Sequence, residues 1–423
     1  MRIAYSAIHF MRAAPCCDPQ VLFIPMVTVW GVLSACVRLR WRDNVNTLGA
    51  HPFWISGGGI LMGLGLLLMG TSPASAAQQT LTLSDNPVLS LGPANGHEFY
   101  QVQSVVLLED ALVIADRGSQ SVIWVSLGGT TLGRVGGEGG GPGEFRGLGP
   151  VMTCGDSLFA WDPFADRMSV LSDGEFVRSF RIPPIDGRLP QRVCCSGTDL
   201  LVLFGVTGTQ ELGLVEGPYR PAMVLHRFSL EGEYLGQVGE FPGDERYRHE
   251  TSDGPRVFGK TTVLARTERG FILGTGDQAS LLELDLDGQQ IRSLGLGFLT
   301  EPLGREDLNT HKQEELERVG QRFGAGVAQS LRRNQEQYDY PESYPPYSAV
   351  LIDDDANVWV RRSKRVTDLS ERWVVIGSDG QLRALVLPPR FQLMDVGRGM
   401  LAGVWKDDFD VEHVRAFNLR SRD

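Results

Sequence analysis

Five tight turns, each ending in glycine, recur along this chain: Gly128-Gly129, Asp173-Gly174, Glu231-Gly232, Asp287-Gly288 and Asp379-Gly380. Each joins two short apolar runs of period two, as in Leu171-Ser172-Asp173-Gly174-Glu175-Phe176. Such alternation is the mark of a strand with one buried face, and glycine supplies the positive φ that a hairpin turn requires. A chain punctuated in this way folds as a succession of antiparallel meanders. The turn glycines are separated by 45, 58, 56 and 92 residues, and the shortest gap matches the roughly 40 to 50 residues of a four-stranded propeller blade. The longer gaps contain insertions.

The first unit reads as strands Ser104 to Leu108, Leu112 to Ala115, Val122 to Val125 and Thr131 to Val135. The fifth reads as Ala349 to Ile352, Val358 to Arg361, Arg372 to Ile376 and Leu382 to Leu387. The last unit has three evident strands, Gln392 to Val396, Met400 to Trp405 and Glu412 to Leu419, and Leu81 to Ser90 supplies its fourth. Pairing an N-terminal strand into the last unit hides both free sheet edges. The expected fold is therefore all-β: a six-bladed β-propeller closed by an N-terminal strand, spanning residues 77–423. Arg305 to Gln337 is the one segment with helical spacing, through Leu308, Leu316, Val319, Phe323, Val327 and Leu331, and it forms a helical insertion (305–337) before the fifth blade. Gly320, Gly324 and Gly326 divide it into two pieces.

Residues 1–76 read as a leader. Ile60 to Gly70 is an apolar run behind Arg38, Arg40 and Arg42 and ahead of Ala74-Ser75-Ala76-Ala77. A short apolar core between positive charge and an Ala-x-Ala site is the pattern of a cleaved secretory signal, with cleavage after Ala76. Upstream lies a second apolar run, Val21 to Val37. Three readings of it stand: a start codon placed too early, a membrane helix of barely sufficient length, or a lipoprotein box at Cys36. The first leaves Arg38 to Arg42 in an ordinary signal n-region. The expected location is periplasmic or secreted; the alternative is anchorage to the inner membrane through these segments.

The formal net charge of −11 excludes a nucleic-acid binder, which needs a basic face. Membrane contact is expected through the leader alone, and the exported part is expected to be a monomer. Three of its cysteines remain beyond the leader: Cys154, Cys194 and Cys195. Cys154 and one of the vicinal pair precede equivalent turns and would meet across neighbouring units as a disulfide; equally, all three serve as small buried hydrophobes.

The segment from Gly136 to Phe145, ending Gly141-Pro142-Gly143-Glu144-Phe145, resembles the glycine-rich link of exported bacterial six-bladed β-propellers related to NHL-repeat and TolB-like proteins. Asp116 and Asp162, each ending a second strand, resemble the Asp of that repeat, Arg167-Met168 resembles its Arg-Ile, and Tyr344-Pro345-Pro346-Tyr347 resembles the family's approach to the fifth blade. The resemblance covers roughly residues 80 to 420 and implies fold more than activity.

Candidate sites are few. The glycine-rich link has Glu144 where a phosphate loop needs Lys, so it reads as a blade-to-blade crossing with Phe145 as a plug. Asp353-Asp354-Asp355-Ala356-Asn357 opens like a calcium loop, but Val358 replaces the glycine and Lys364 the bidentate Glu, so a calcium ion has no motif behind it and a tight turn explains the acids. No cofactor is assigned. Asp116, Asp162, Tyr344 and Tyr347 are the candidate ligand contacts, each with a structural role available. Neither a His pair at metal spacing nor a Gly-x-Ser-x-Gly elbow occurs in the exported part, so no catalytic residue is assigned. The sequence points to a binding or scaffold module presenting loops and a channel mouth to a protein, peptide or small ligand; the alternative is a lactonase-like, metal-dependent hydrolase or lyase with ligands scattered around the channel.

Overall fold

The computed structural model describes residues 79–206, 216–249 and 253–421. The leader, with its cleavage residues Ala74, Ala76 and Ala77, lies outside the described residues.

The chain begins with β1 (Gln79–Leu83) and β2 (Leu89–Leu91) and continues into a first meander of β3 (Val102–Leu107), β4 (Ala111–Asp116), β5 (Ser121–Ser126) and β6 (Thr131–Gly136). The second meander is β7 (Val151–Cys154), β8 (Ser157–Asp162), β9 (Arg167–Ser172) and β10 (Glu175–Arg181). The third has β11 (Leu189–Cys195) and β12 (Asp199–Gly205), then, past β13 (Gly217–Tyr219), β14 (Ala222–Ser229) and β15 (Tyr234–Pro242). β13 pairs instead with β16 (Arg246–Arg248), which pairs with β17 (Asp253–Pro255), in a small separate sheet. β18 (Val263–Thr267), β19 (Gly270–Gly274), β20 (Ser280–Leu284) and β21 (Gln290–Gly295) form the fourth meander. Helices α1 (Arg305–Phe323) and α2 (Ala325–Gln337) precede the fifth: β22 (Tyr347–Ile352), β23 (Val358–Arg362), β24 (Arg372–Ile376) and β25 (Leu382–Val386). The sixth set is β26 (Phe391–Gly397), β27 (Met400–Lys406) and β28 (Glu412–Ser421).

The chain is thus mostly β, built from four-stranded antiparallel sheets in the manner of a propeller. All five hairpin glycines adopt positive φ, from 79° at Gly380 to 92° at Gly232, where a side chain would be strained. The N-terminal segment supplies two short strands where the sequence suggested one. β1 lies between β25, to which it is parallel, and β28, to which it is antiparallel, while β2 adds antiparallel to β28. Ser84 to Val88 interrupt the alternation, and Pro87 has no amide to give a ladder.

The core is divided among the spaces between consecutive sheets. Phe145 packs with Val113 and Trp124 of the first sheet and Leu158 and Leu171 of the second. Phe159, Trp161 and Phe204 fill the next gap, Leu201, Leu225 and Phe271 the third, and Ile272, Tyr347 and Val360 the fourth. Trp359, Trp373, Leu385 and Phe391 fill the fifth gap with Leu81 of β1. The sixth cluster joins Ala402 and Val414 of the last sheet to Val105 and Ile114 of the first, with Leu89 and Leu91 of β2 among them.

The helical insertion differs from expectation in two ways. It breaks at Gly324 alone, at φ 88° and ψ 169°, whereas Gly320 and Gly326 lie within the helices. The residues α1 buries most deeply are Asp307, His311 and Glu315, not the apolar row, from which Phe323 stands 58% exposed. Their spacing of four places all three on one helix face. No helix among the described residues is long and apolar enough to cross a membrane.

Candidate functional site

An antiparallel meander has two ends, and here they are built differently. Turns from first to second strand and from third to fourth contain no more than five residues. Connections from second to third strand, and the links into each following sheet, leave from the opposite end. That end carries the glycine-rich link, the small sheet of β13, β16 and β17, both helices and all the longer loops. Strands hold such loops in place while leaving them free to vary in shape.

The repeat aspartates anchor this end from inside. Asp116 and Asp162 are fully buried. Asp116 accepts the amides of Tyr100 (2.7 Å) and Ser119 (3.1 Å) and the Ser119 hydroxyl (2.5 Å), so the entry to β3 is tied to the β4–β5 turn. Asp162 does the same between the glycine-rich link and the β8–β9 turn, accepting Arg146 N (2.8 Å), Phe164 N (3.1 Å) and Ala165 N (3.2 Å). Arg167 donates to the carbonyls of Gly140 (3.1 Å), Gly141 (3.2 Å) and Glu144, and Glu144 Oε2 accepts Gly141 N (2.7 Å). The link therefore presents carbonyls to a guanidinium, the reverse of an anion cradle.

Tyr344 and Tyr347 are also interior, at 2% and 0% exposure. Tyr347 Oη accepts Gly276 N (2.9 Å) and donates to Ser280 O (3.2 Å), joining the fourth and fifth sheets, and burial raises its pKa. Tyr344 Oη accepts Val366 N at 3.4 Å, its ring meets Phe258 edge-on, and burial pushes the phenol up to about 12. Asp116, Asp162 and Tyr347 lie at the ends of three different strands and Tyr344 in the connection before β22, and all four are buried.

Cys154 and Cys195 are joined by a disulfide between the second and third sheets, with Cα atoms 5.5 Å apart. Cys194 is free, and burial pushes its thiol up to about 12 against a smaller lowering by Arg266.

The polar seam under the helices escaped the sequence reading, although four-residue spacing of Asp307, His311 and Glu315 was its signal. Asp307 pairs with Arg365 at 3.1 Å, and Glu315 accepts Gln335 Nε2 at 2.8 Å. His311 Nε2 stands 3.7 Å from Glu315 Oε2, and its ring lies edge-on to Phe258 and Tyr340. Burial lowers the His311 pKa, opposed in part by the Glu315 carboxylate. Tyr338 stacks on Tyr247 at 4.0 Å and accepts Val257 N at 2.7 Å, completing the attachment of the insertion. These contacts anchor the helices to the sheets.

Among the described residues no group of three or more His, Cys, Asp or Glu is placed to hold a metal. A cleft of about 390 Å³ opens at the short-turn end between the fifth and sixth sheets, beside Asp353, Asp354, Trp359 and Met400. Two of its three acids are engaged in holding turns. Asp353 accepts the amides of Asp355 (3.0 Å) and Asn357 (2.8 Å) and the Trp359 indole (2.8 Å), and Asp354 accepts Arg398 N (2.7 Å).

The exposed large apolar side chains are sorted by position. Leu132, Val177, Tyr234, Leu235, Ile291 and Val386 lie on fourth strands, at the outer edges. Val88, between β1 and β2, lies along β28 and so also at an outer edge. The others among the described residues, Tyr100, Phe164, Leu299, Phe323, Leu369 and Phe409, lie in the connections of the long-loop end or its helices.

No family model matches the chain, and no curated protein does. Among solved structures it is similar to an exported protein of Bacteroides fragilis at 12% identity and TM-score 0.46, over 82% of this chain and 97% of that one. Streptogramin B lyase aligns at 8% identity and TM-score 0.41, over 80% and 98%. A PQQ-bound aldose sugar dehydrogenase from Streptomyces coelicolor aligns at 12% and 0.42, over 82% and 100%. Scores this low carry no argument about activity. By its own sheets the chain is a β-propeller-type protein.

Proposed function

We propose that this chain is an extracytoplasmic binding module: a six-bladed β-propeller, residues 77–423, closed by its N-terminal strands, that turns its long-loop end toward a protein or peptide. The observation that carries the reading is the sorting just described. Among the described residues, apart from those at the outer strand edges, every large exposed apolar side chain lies at the end where the long connections are. Large apolar side chains left exposed at one end of a body, and gathered there, are what a contact face would bury. The six-bladed ring is supported by six core clusters, one in each gap between consecutive sheets, the last joining the sixth sheet to the first. Export is supported by the apolar run of residues 60–70 ahead of Ala74-Ser75-Ala76-Ala77 and by the Cys154–Cys195 bridge, because disulfides persist in oxidising compartments. Anchorage through residues 21–37 is the other form this location takes. The module works as a monomer.

The competing account is a metal-dependent hydrolase or lyase on the same ring. Elemental analysis of the purified protein, with thermal melts in the presence and absence of chelator, separates the two. We expect no stoichiometric metal and identical melts; a bound zinc or calcium whose removal lowers the melt would overturn the binding reading.

A further inference from the structure

Resting on that reading, we infer that the paired turns at Leu369 and Phe409 form a docking site for a basic, apolar segment of another protein. Both are turns between second and third strands of neighbouring sheets, and both carry their apolar residue outward, Leu369 at 68% and Phe409 at 87% exposure. Neither side chain is out for lack of order in its turn. Asp407 Oδ1 accepts the amides of Phe409 (2.8 Å) and Val411 (3.0 Å), its own amide donates to Val411 O (3.2 Å), and Asp410 takes φ 60° to close the loop. Asp368 Oδ2 accepts Arg365 N (3.2 Å) and pairs with Arg372 (3.0 Å), which fixes the turn of Leu369.

Arg390 ties the two turns together. Its amide donates to Leu369 O at 3.1 Å, its guanidinium reaches Asp408 Oδ1 at 2.5 Å, and its carbonyl accepts Lys406 N at 3.2 Å. Two large apolar side chains are thus held out on a shared brace. Burying them against a partner costs little further ordering, the condition under which apolar contact converts into affinity.

Charge selects the partner. Phe409 is flanked by Asp407, Asp408 and Asp410; of the basic groups around them Arg390 is engaged with Asp408, His413 stands 3.5 Å from Asp407 and Lys406 pairs with Glu412 at 3.4 Å. On the Leu369 turn Arg365 and Arg372 pair with Asp307 and Asp368 and Lys364 is exposed, so the acidic charge is concentrated on the Phe409 side. A ligand with Lys or Arg beside Leu, Phe or Trp complements this surface. A second copy of the chain does not, since it brings the same acidic rim and a net charge of −11. An anionic membrane is repelled for the same reason.

The test selects random peptides displayed on phage against the purified protein. It then measures the affinity of the selected peptides for wild type, for Phe409→Asp combined with Leu369→Asp, for Phe164→Asp elsewhere at the same end, and for Leu132→Asp on an outer strand as the control. We expect peptides rich in Lys or Arg next to large apolar residues. Their binding should weaken as salt is raised and fall at least tenfold, about 1.4 kcal/mol, in the double variant, with the control and both melts unchanged. If the double variant melts early, Phe409→Ser alone carries the comparison. Peptides that bind the double variant as well as wild type overturn the site; if Phe164→Asp abolishes their binding, the long-loop end survives as the contact face and only this site fails. Selection of acidic peptides, or Phe409-dependent binding to phosphatidylglycerol vesicles, also overturns it.

Discussion

Deleting residues 79–91 should lower the melting temperature by about 10 °C or more. The segment buries Leu81 (8% exposed) between the fifth and sixth sheets and Leu89 (7%) and Leu91 (0%) between the sixth and first. Three leucines at roughly 1.5–3 kcal/mol each amount to about 5–9 kcal/mol, and a change of 1 kcal/mol moves the melt of a chain of this size by about 2 °C. Removing the segment also strips β28 of its partners β1 and β2, baring a sheet edge on which other chains can pair. Leu91→Ala isolates the packing contribution and should cost about 2–5 kcal/mol. Differential scanning calorimetry of the deletion decides the matter. An unchanged melt would show that these strands lie on the sheets without closing anything.

Replacing Cys154 and Cys195 with serine, or reducing the bridge, should cost about 4 kcal/mol. The two residues are 41 apart in sequence, and the loop-closure entropy removed from the unfolded chain by a cross-link of that span gives this figure. The bridge also fastens the second sheet to the third inside a buried cluster with Phe159 and Phe204, so its loss is felt in the core. Cys194 should add nothing. Its thiol, pushed up to about 12, stays protonated near neutrality and reacts slowly with alkylating reagents until the protein unfolds. Melts recorded with and without a reducing agent check the first statement, and alkylation followed by mass spectrometry checks the second. Coincident melts would contradict the stabilising role.

The turn glycines made the strands legible, because a hairpin needs positive φ and the flanking runs alternate. Asp116 and Asp162 were legible as turn residues for a similar local reason: the side chain reaches amides a few residues away. The cysteine partner was not. On β11, Cys195 faces the second sheet and Cys194 the fourth, and register by a single residue decides which meets Cys154. Nor could hydropathy foresee that α1 docks through Asp307, His311 and Glu315, because a polar face is buried only where partners such as Arg365 and Gln335 await it, and those come from elsewhere in the chain. Phe409 was hidden by the opposite fault. An apolar residue within Asp407-Asp408-Phe409-Asp410 reads as part of a solvated turn until exposure shows that it points away from every core.

The central claim is that one end of the ring is the binding face, and oriented capture tests it most directly. In a Cys194→Ser background, a single cysteine is introduced either in the hairpin at Asp287, at the short-turn end, or at Asp408, at the long-loop end, and the protein is tethered through it for selection of displayed peptides. Peptides enriched when the tether is at Asp287, and not when it is at Asp408, are the predicted result. Equal enrichment in both orientations, or enrichment only with the short turns facing solution, would contradict it.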